Sequence, residues 1–153
     1  MEIEGIIELF RTEILAGSFN VAALLADETG CDWAYSVGLA RNFQHPELIL
    51  TGIDATIAGA LIEVIGQQVS RGRVLQVGDT VQIAGCMDLV VRELEGAWLA
   101  RSDLFELGRA VMSSLDECWP STLQLVQPQA QSEFPRVPGE LGRTLHQPLV
   151  TLN

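Results

Sequence analysis

WAYSVGLARNFQHPELILTG, Trp33 to Gly52, holds one of the two histidines of the 153-residue chain between two apolar runs. Trp33 to Leu39 carries an aromatic and β-branched set and reads as a strand, and Glu47 to Thr51 reads as the next, reached through a turn over Asn42 to Pro46. Pro46 lacks a backbone donor and biases His45 toward an extended conformation, which fixes the imidazole at a strand entrance. Upstream, the apolar run from Phe19 to Ala26 is joined to Trp33 through Asp27-Glu28-Thr29-Gly30, the pattern of an antiparallel hairpin. Whether His45 is a reagent, a ligand or a bracket between strands is the question this stretch poses.

Outward from it, Ile3, Ile6, Ile7, Phe10, Ile14 and Leu15 recur at spacings of three and four and predict an N-terminal helix stopped at Gly17. Asp54 is placed to cap a second helix whose apolar face is Ile57, Leu61, Ile62, Ile65 and Val69, ending near Arg71-Gly72. Short strands are expected over Val74–Val77, Thr80–Ala84 and Leu89–Leu94, with a tight turn at Gly78-Asp79. Ser102 or Asp103 caps a third helix, with Leu104, Leu107, Val111, Met112 and Leu115 inward, ended by Trp119-Pro120. Thr122 to Val126 makes a last strand. This order is that of an α+β domain with a mainly antiparallel sheet, of which a split-barrel-like form is one version, flanked by about three helices. The chain reads as one domain over 1–153: an N-terminal helix in 1–16, an α+β core in 19–126, and an irregular, Pro-rich wrapping tail in 127–153.

Composition narrows the function classes. Hydrophobic residues are 48% of the chain and charged residues 19%, a globular balance. Twenty acidic residues against nine basic ones, all arginine, give a net charge of -11. That charge repels phosphate backbones and anionic lipid, so neither nucleic acid nor membrane is an expected partner. The absence of lysine excludes Schiff-base catalysis by a lysine of this chain. No basic leader follows Met1 and no apolar run approaches the ~20 residues of a bilayer span, so the expected location is the cytoplasm. Cys31, Cys86 and Cys118 form no C-x-x-C and read as reduced, small buried hydrophobes.

The candidate chemistry is sparse. His45 and Glu47 are two residues apart, a spacing that puts strand side chains on one face and permits a general acid-base pair. The competing reading is structural, with both ring nitrogens of His45 tying backbone groups together. No complete metal set is expected, because His146, Cys31 or Cys118 would have to converge from distant positions. Ser36 is not in a G-x-S-x-G elbow, and no phosphate-binding glycine loop exists. Arg71 and Arg73 are the densest positive point and are candidate anion-binding residues, or simply favourable charges at a helix end.

Tyr35-Ser36-Val37-Gly38-Leu39, then Phe43-Gln44-His45-Pro46-Glu47-Leu48 and Gly52, resembles the Y-T-x-G-L…F-x-H-P-E-L…G signature of the bacterial domain-of-unknown-function family 4262. Pro120, Leu123-Gln124-Leu125-Val126, Pro128, Phe134-Pro135 and Pro138-Gly139 resemble its second block, and Gln147-Pro148-Leu149 its closing segment. Gln129 replaces the aspartate that usually follows the proline of the second block, and Arg136 replaces a tryptophan after Phe-Pro. The resemblance brings no established activity.

Tyr35–Gly52 and Pro120–Gly139 are therefore expected to meet in space. Trp33, Tyr35, Ser36, Phe43, His45, Gln124 and Phe134 are the candidate pocket residues. The expected function is a non-catalytic accessory or binding module for a protein partner or small molecule, with homodimerisation open to a leftover apolar helix face. The alternative is a small enzyme using His45 and Glu47, with flavin as its candidate cofactor.

Overall fold

The computed structural model describes residues 2–24, 32–83, 87–94, 96–99, 105–128 and 149–151. Helix α1 spans Ile3–Leu15, where Ile6, Phe10 and Ile14 form the buried stripe. Leu15, one step round the helix, is 52% exposed. Gly17 follows at φ +92°, a left-handed value that suits glycine and reverses the chain into β1, Asn20–Leu24. Strand β2, Trp33–Val37, pairs antiparallel with β1 from Asn20↔Val37 to Leu24↔Trp33. The loop between these strands and the tail from 129 to 148 lie outside the described residues.

The strand expected to run to Leu39 ends two residues earlier. Gly38 adopts φ +117°, and the chain enters a short helix, α2, over Leu39–Phe43. A Cβ on Gly38 would stand 3.0 Å from the Ile14 side chain and 3.1 Å from the Phe19 backbone, so both its conformation and its surroundings call for glycine. What reads as a plain turn over 42–46 is thus partly helical. Strand β3, Glu47–Thr51, is antiparallel to β2.

Helix α3 spans Ala55–Ser70, and Asp54 caps it through hydrogen bonds accepted from the Thr56 and Ile57 amides. Its inner face is Ala58, Leu61, Ile62, Ile65 and Val69, whereas Ile57, assigned inward from periodicity, points to solvent. The expected strand over Val74–Val77 is a loop instead. Leu75 is buried, Val74 and Val77 are exposed, and the backbone donors that a strand would pair go elsewhere, as at Leu75, whose amide meets a side chain. Strands β4, Thr80–Ile83, and β5, Met87–Glu93, form an antiparallel pair. After a helical turn, α4, over Gly96–Leu99 comes α5, Glu106–Ser114, with Leu107, Val111 and Met112 buried. The proposed caps Ser102 and Asp103 lie outside the described residues. Strand β6 is Thr122–Val126 and β7 is Leu149–Thr151.

The seven strands form one sheet in the order β4-β5-β6-β3-β2-β1-β7. The fold is α+β with a mostly antiparallel, open sheet, so no barrel closes. The exception to antiparallel pairing is central: β3 and β6 run parallel, from Glu47↔Thr122 to Leu50↔Leu125. Alternation along the strands feeds two cores, one on each face. Leu48, Leu50, Ala34, Val21 and Ala23 pack with α3, while Ile49, Trp33, Tyr35, Ala22 and Leu24 pack with residues of α1 and α5. No helix of the described residues is long and apolar enough to cross a membrane.

Candidate functional site

Where β2 ends and β3 begins, the chain builds its most polar buried cluster. Glu47 is fully buried at the first position of β3. Its Oε1 accepts from the Ser36 hydroxyl at 2.7 Å and the Leu39 amide at 3.1 Å. Its Oε2 accepts from the amides of Gly38 at 3.0 Å and Ala40 at 3.2 Å. A carboxylate has about four acceptor directions, and all four are filled here. The amides at a helix start have no partner within the helix, so Glu47 supplies from eight residues downstream what a side-chain cap would supply locally. Ser36 completes the arrangement by accepting the Leu48 amide at 2.9 Å.

Two effects oppose each other at this carboxyl. Burial raises its pKa, the hydrogen bonds from Ser36, Gly38, Ala40 and Leu39 lower it, and burial prevails, leaving the carboxyl raised from 4.5 to about 7.

His45 is also buried, 4% exposed. Its Nε2 faces the Leu75 amide at 2.9 Å, and since an amide can only donate, Nε2 must accept. The proton then sits on Nδ1 and is donated to the Pro46 carbonyl at 2.8 Å. Both ring nitrogens are engaged with backbone, one of them pinning the 71–79 loop 30 residues away. Asn42 does the same for the N-terminal helix, donating through Nδ2 to the carbonyls of Ile14 at 2.8 Å and Ser18 at 2.6 Å.

Trp33, Tyr35, Phe105 and Trp119 gather on the face of β2 opposite the Ser36 side chain. Trp33 and Tyr35 are fully buried and stack at 5.5 Å. Phe105 stands edge-on to Tyr35 at 5.1 Å and stacks on Trp119 at 4.9 Å, while Trp119 is edge-on to Tyr35 at 5.6 Å. The Tyr35 hydroxyl accepts the Gly108 amide at 3.1 Å. Gly108 is where α5 crosses this cluster, and a Cβ there would sit inside the van der Waals surface of the Trp119 ring.

The two blocks of sequence expected to meet do so over their described parts. β6 lies beside β3, the Glu47 amide donates to the Ser121 carbonyl at 3.0 Å, and Gln124 donates to the Thr51 hydroxyl at 3.2 Å. Ser36 and Glu47 are brought into contact, Trp33 and Tyr35 share the aromatic cluster, Phe43 is partly buried against the α3-side core, and Gln124 lies at the β3–β6 junction. Phe134, Gln129, Arg136 and His146 lie outside the described residues. Arg71 is exposed after α3, and Arg73 reaches back to the Gln68 side-chain carbonyl. Cys118 is a free, exposed thiol, not the buried small hydrophobe its sequence suggests, and Cys31 and Cys86 lie outside the described residues. No group of three or more His, Cys, Asp or Glu residues is gathered for a metal among the described residues.

Leu75, Asn42, Phe105 and Gly108 carry the arrangement without standing out in the sequence. The Gly38 positive φ has a local signal, a glycine ending an alternating run. The partners of the other four come from distant chain segments.

These features define an α+β domain whose signature stretch forms a buried carboxylate clamp beside a backbone-bound imidazole. The chain belongs to the family described as Domain of unknown function (DUF4262), whose model matches residues 14–140. Comparison with curated proteins and with solved structures gives no significant match.

Proposed function

We propose that the domain is a non-catalytic accessory or binding module, and that the motif residues His45 and Glu47 are its architecture rather than its reagents. The observation that supports this reading is that every polar side-chain atom of both residues is engaged by groups of the chain itself. A general acid or base must reach the proton it moves, and a carboxylate with no solvent exposure that serves four internal donors has nothing left to offer a substrate. What His45 does instead is hold the 71–79 loop, which carries, among the described residues, the two most exposed large apolar side chains, Val74 at 65% and Val77 at 58%.

That loop is held rigidly. Leu75 anchors it in the core, Gln76 donates to the Asp79 carboxylate at 2.9 Å, and Gly78 donates to the Val91 carbonyl at 2.9 Å. A pre-ordered loop displaying two valines loses little entropy on meeting a protein partner, which favours this surface as the recognition element.

Chemical accessibility tests the assignment. Treatment with diethyl pyrocarbonate followed by peptide mass spectrometry is expected to leave His45 unmodified in the folded protein and modified after denaturation. His45→Ala is expected to lower stability by roughly 1–3 kcal/mol, the cost of stranding the Leu75 amide, measured by urea denaturation. Ready modification of His45 in the native state, or a purified protein absorbing at the flavin bands near ~450 nm, would move the reading to the enzyme alternative.

A further inference from the structure

We propose that the outward face of α3 is a self-association surface, on which a second copy of the chain packs antiparallel about a two-fold axis. Ile57 and Val64 are 47% and 46% exposed on a helix whose other face is in the core. With Ala60, Gln67 and Arg71 they repeat at spacings of three and four, the seam along which two helices pack at a shallow angle.

Charge selects the occupant. A chain of net charge -11 repels its own copies over most of its surface, so self-association needs a face without carboxylates. The α3 seam is such a face. The helix has one acid, Glu63, and its Oε1 accepts from Gln67 at 2.9 Å, along its own helix. The two ends carry opposite charges. Asp54 is exposed at the N-terminal cap, and Arg71 is exposed at the C-terminal cap and forms no ion pair among the described residues.

An axis between Ala60 and Val64 sets Ile57 opposite Gln67 and Ala60 opposite Val64 of the other copy. The same axis sets Arg71 against the turn that holds Asp54, twice by symmetry. Antiparallel helices also oppose their dipoles, so each end meets its complement. Ala60, small and central, lets the backbones approach. The contact is isologous and closes on itself, as a two-fold dimer requires.

Sedimentation velocity of the full chain, from micromolar to near-millimolar concentration, tests this. The wild type is expected to move from 16.6 kDa toward twice that mass. Val64→Glu and Arg71→Glu are each expected to weaken the association at least about tenfold, or ~1.4 kcal/mol. Leu15→Glu, which adds the same charge to an exposed leucine on the other side of the sheet, is expected to leave it unchanged. A wild type monomeric throughout, or association insensitive to both α3 variants, would overturn the proposal, as would equal weakening by Leu15→Glu. Circular dichroism of each variant confirms the folded state, so loss of association is read at constant fold.

Discussion

Glu47→Ala is expected to leave the domain largely unfolded at room temperature. The substitution removes one acceptor group, strands the Ser36 hydroxyl and the amides of Gly38 and Leu39 in a buried site, and takes the partner from the part-buried Ala40 amide. Each stranded buried donor costs about 1–3 kcal/mol, so the three together cost roughly 3 kcal/mol or more, a large part of the stability of a small domain. Glu47→Gln keeps the shape and one acceptor oxygen, but its amide nitrogen meets donors, so it falls between Ala and wild type. Urea denaturation followed by far-ultraviolet circular dichroism ranks the three. Equal stability of Glu47→Ala and wild type would show that the clamp does not hold the β2–α2–β3 corner.

The same residue gives stability a distinctive pH dependence. Burial raises the Glu47 pKa from 4.5 to about 7, so the folded chain holds this proton more tightly than the unfolded chain. Stability from this group is therefore complete below about 4.5 and is lost as pH rises through about 7. That rise corresponds to a change on the order of 3 kcal/mol. Ordinary paired carboxylates give the opposite sign. The difference in urea midpoint between wild type and Glu47→Gln, followed from pH 5 to pH 8, isolates the contribution, and it is expected to shrink as pH rises.

Gly108→Val is the second large effect. A Cβ at Gly108 penetrates the Trp119 ring and stands 3.0 Å from the Tyr35 ring, and both rings are themselves fixed by Phe105. Overpacking of this kind costs about 1–3 kcal/mol and more where the neighbours cannot move. Displacing α5 also breaks the bond from the Gly108 amide to the Tyr35 hydroxyl, so a loss of roughly 3 kcal/mol or more is expected. Tryptophan fluorescence during denaturation reports it directly, because Trp33 and Trp119 lie in the cluster. Gly108→Ala is expected to be milder, and Trp119→Leu to relieve part of its cost in a double-mutant cycle. Additivity in that cycle would mean that the ring is not what excludes the side chain.

Local pattern revealed most of the elements. The Ile6, Phe10, Ile14 stripe, the Asp54 cap and the strands at 47–51 and 122–126 all follow from periodicity and capping chemistry that act within a few residues. The misreadings share a cause: a distant group satisfies the backbone. Residues 39–43 become helical because the Glu47 carboxylate receives their first amides, and 74–77 is no strand where the Leu75 amide goes to His45. Ile57 reads as inward from its spacing, but periodicity alone cannot tell which edge of an apolar helix meets the core. At the site, His45 and Glu47 stand out by type, but their partners lie beyond the reach of local pattern, 30 residues downstream for one and in the preceding strand for the other.

The parallel joint between β3 and β6 has a consequence for the chain as it is made. β1, β2 and β3 follow one another and can pair as soon as residue 51 is available, but the other side of β3 waits for residues 122–126. During that interval Leu48, Ile49 and Leu50 present a bare, apolar strand border, the kind of surface on which nascent polypeptides stick to one another. Synthesis of the intervening seventy residues, at about 5–20 residues per second, leaves it open for several seconds. A ribosome-bound chain of this protein is thus most vulnerable to misassembly while residues 52–121 are being made, and most dependent then on whatever shields it.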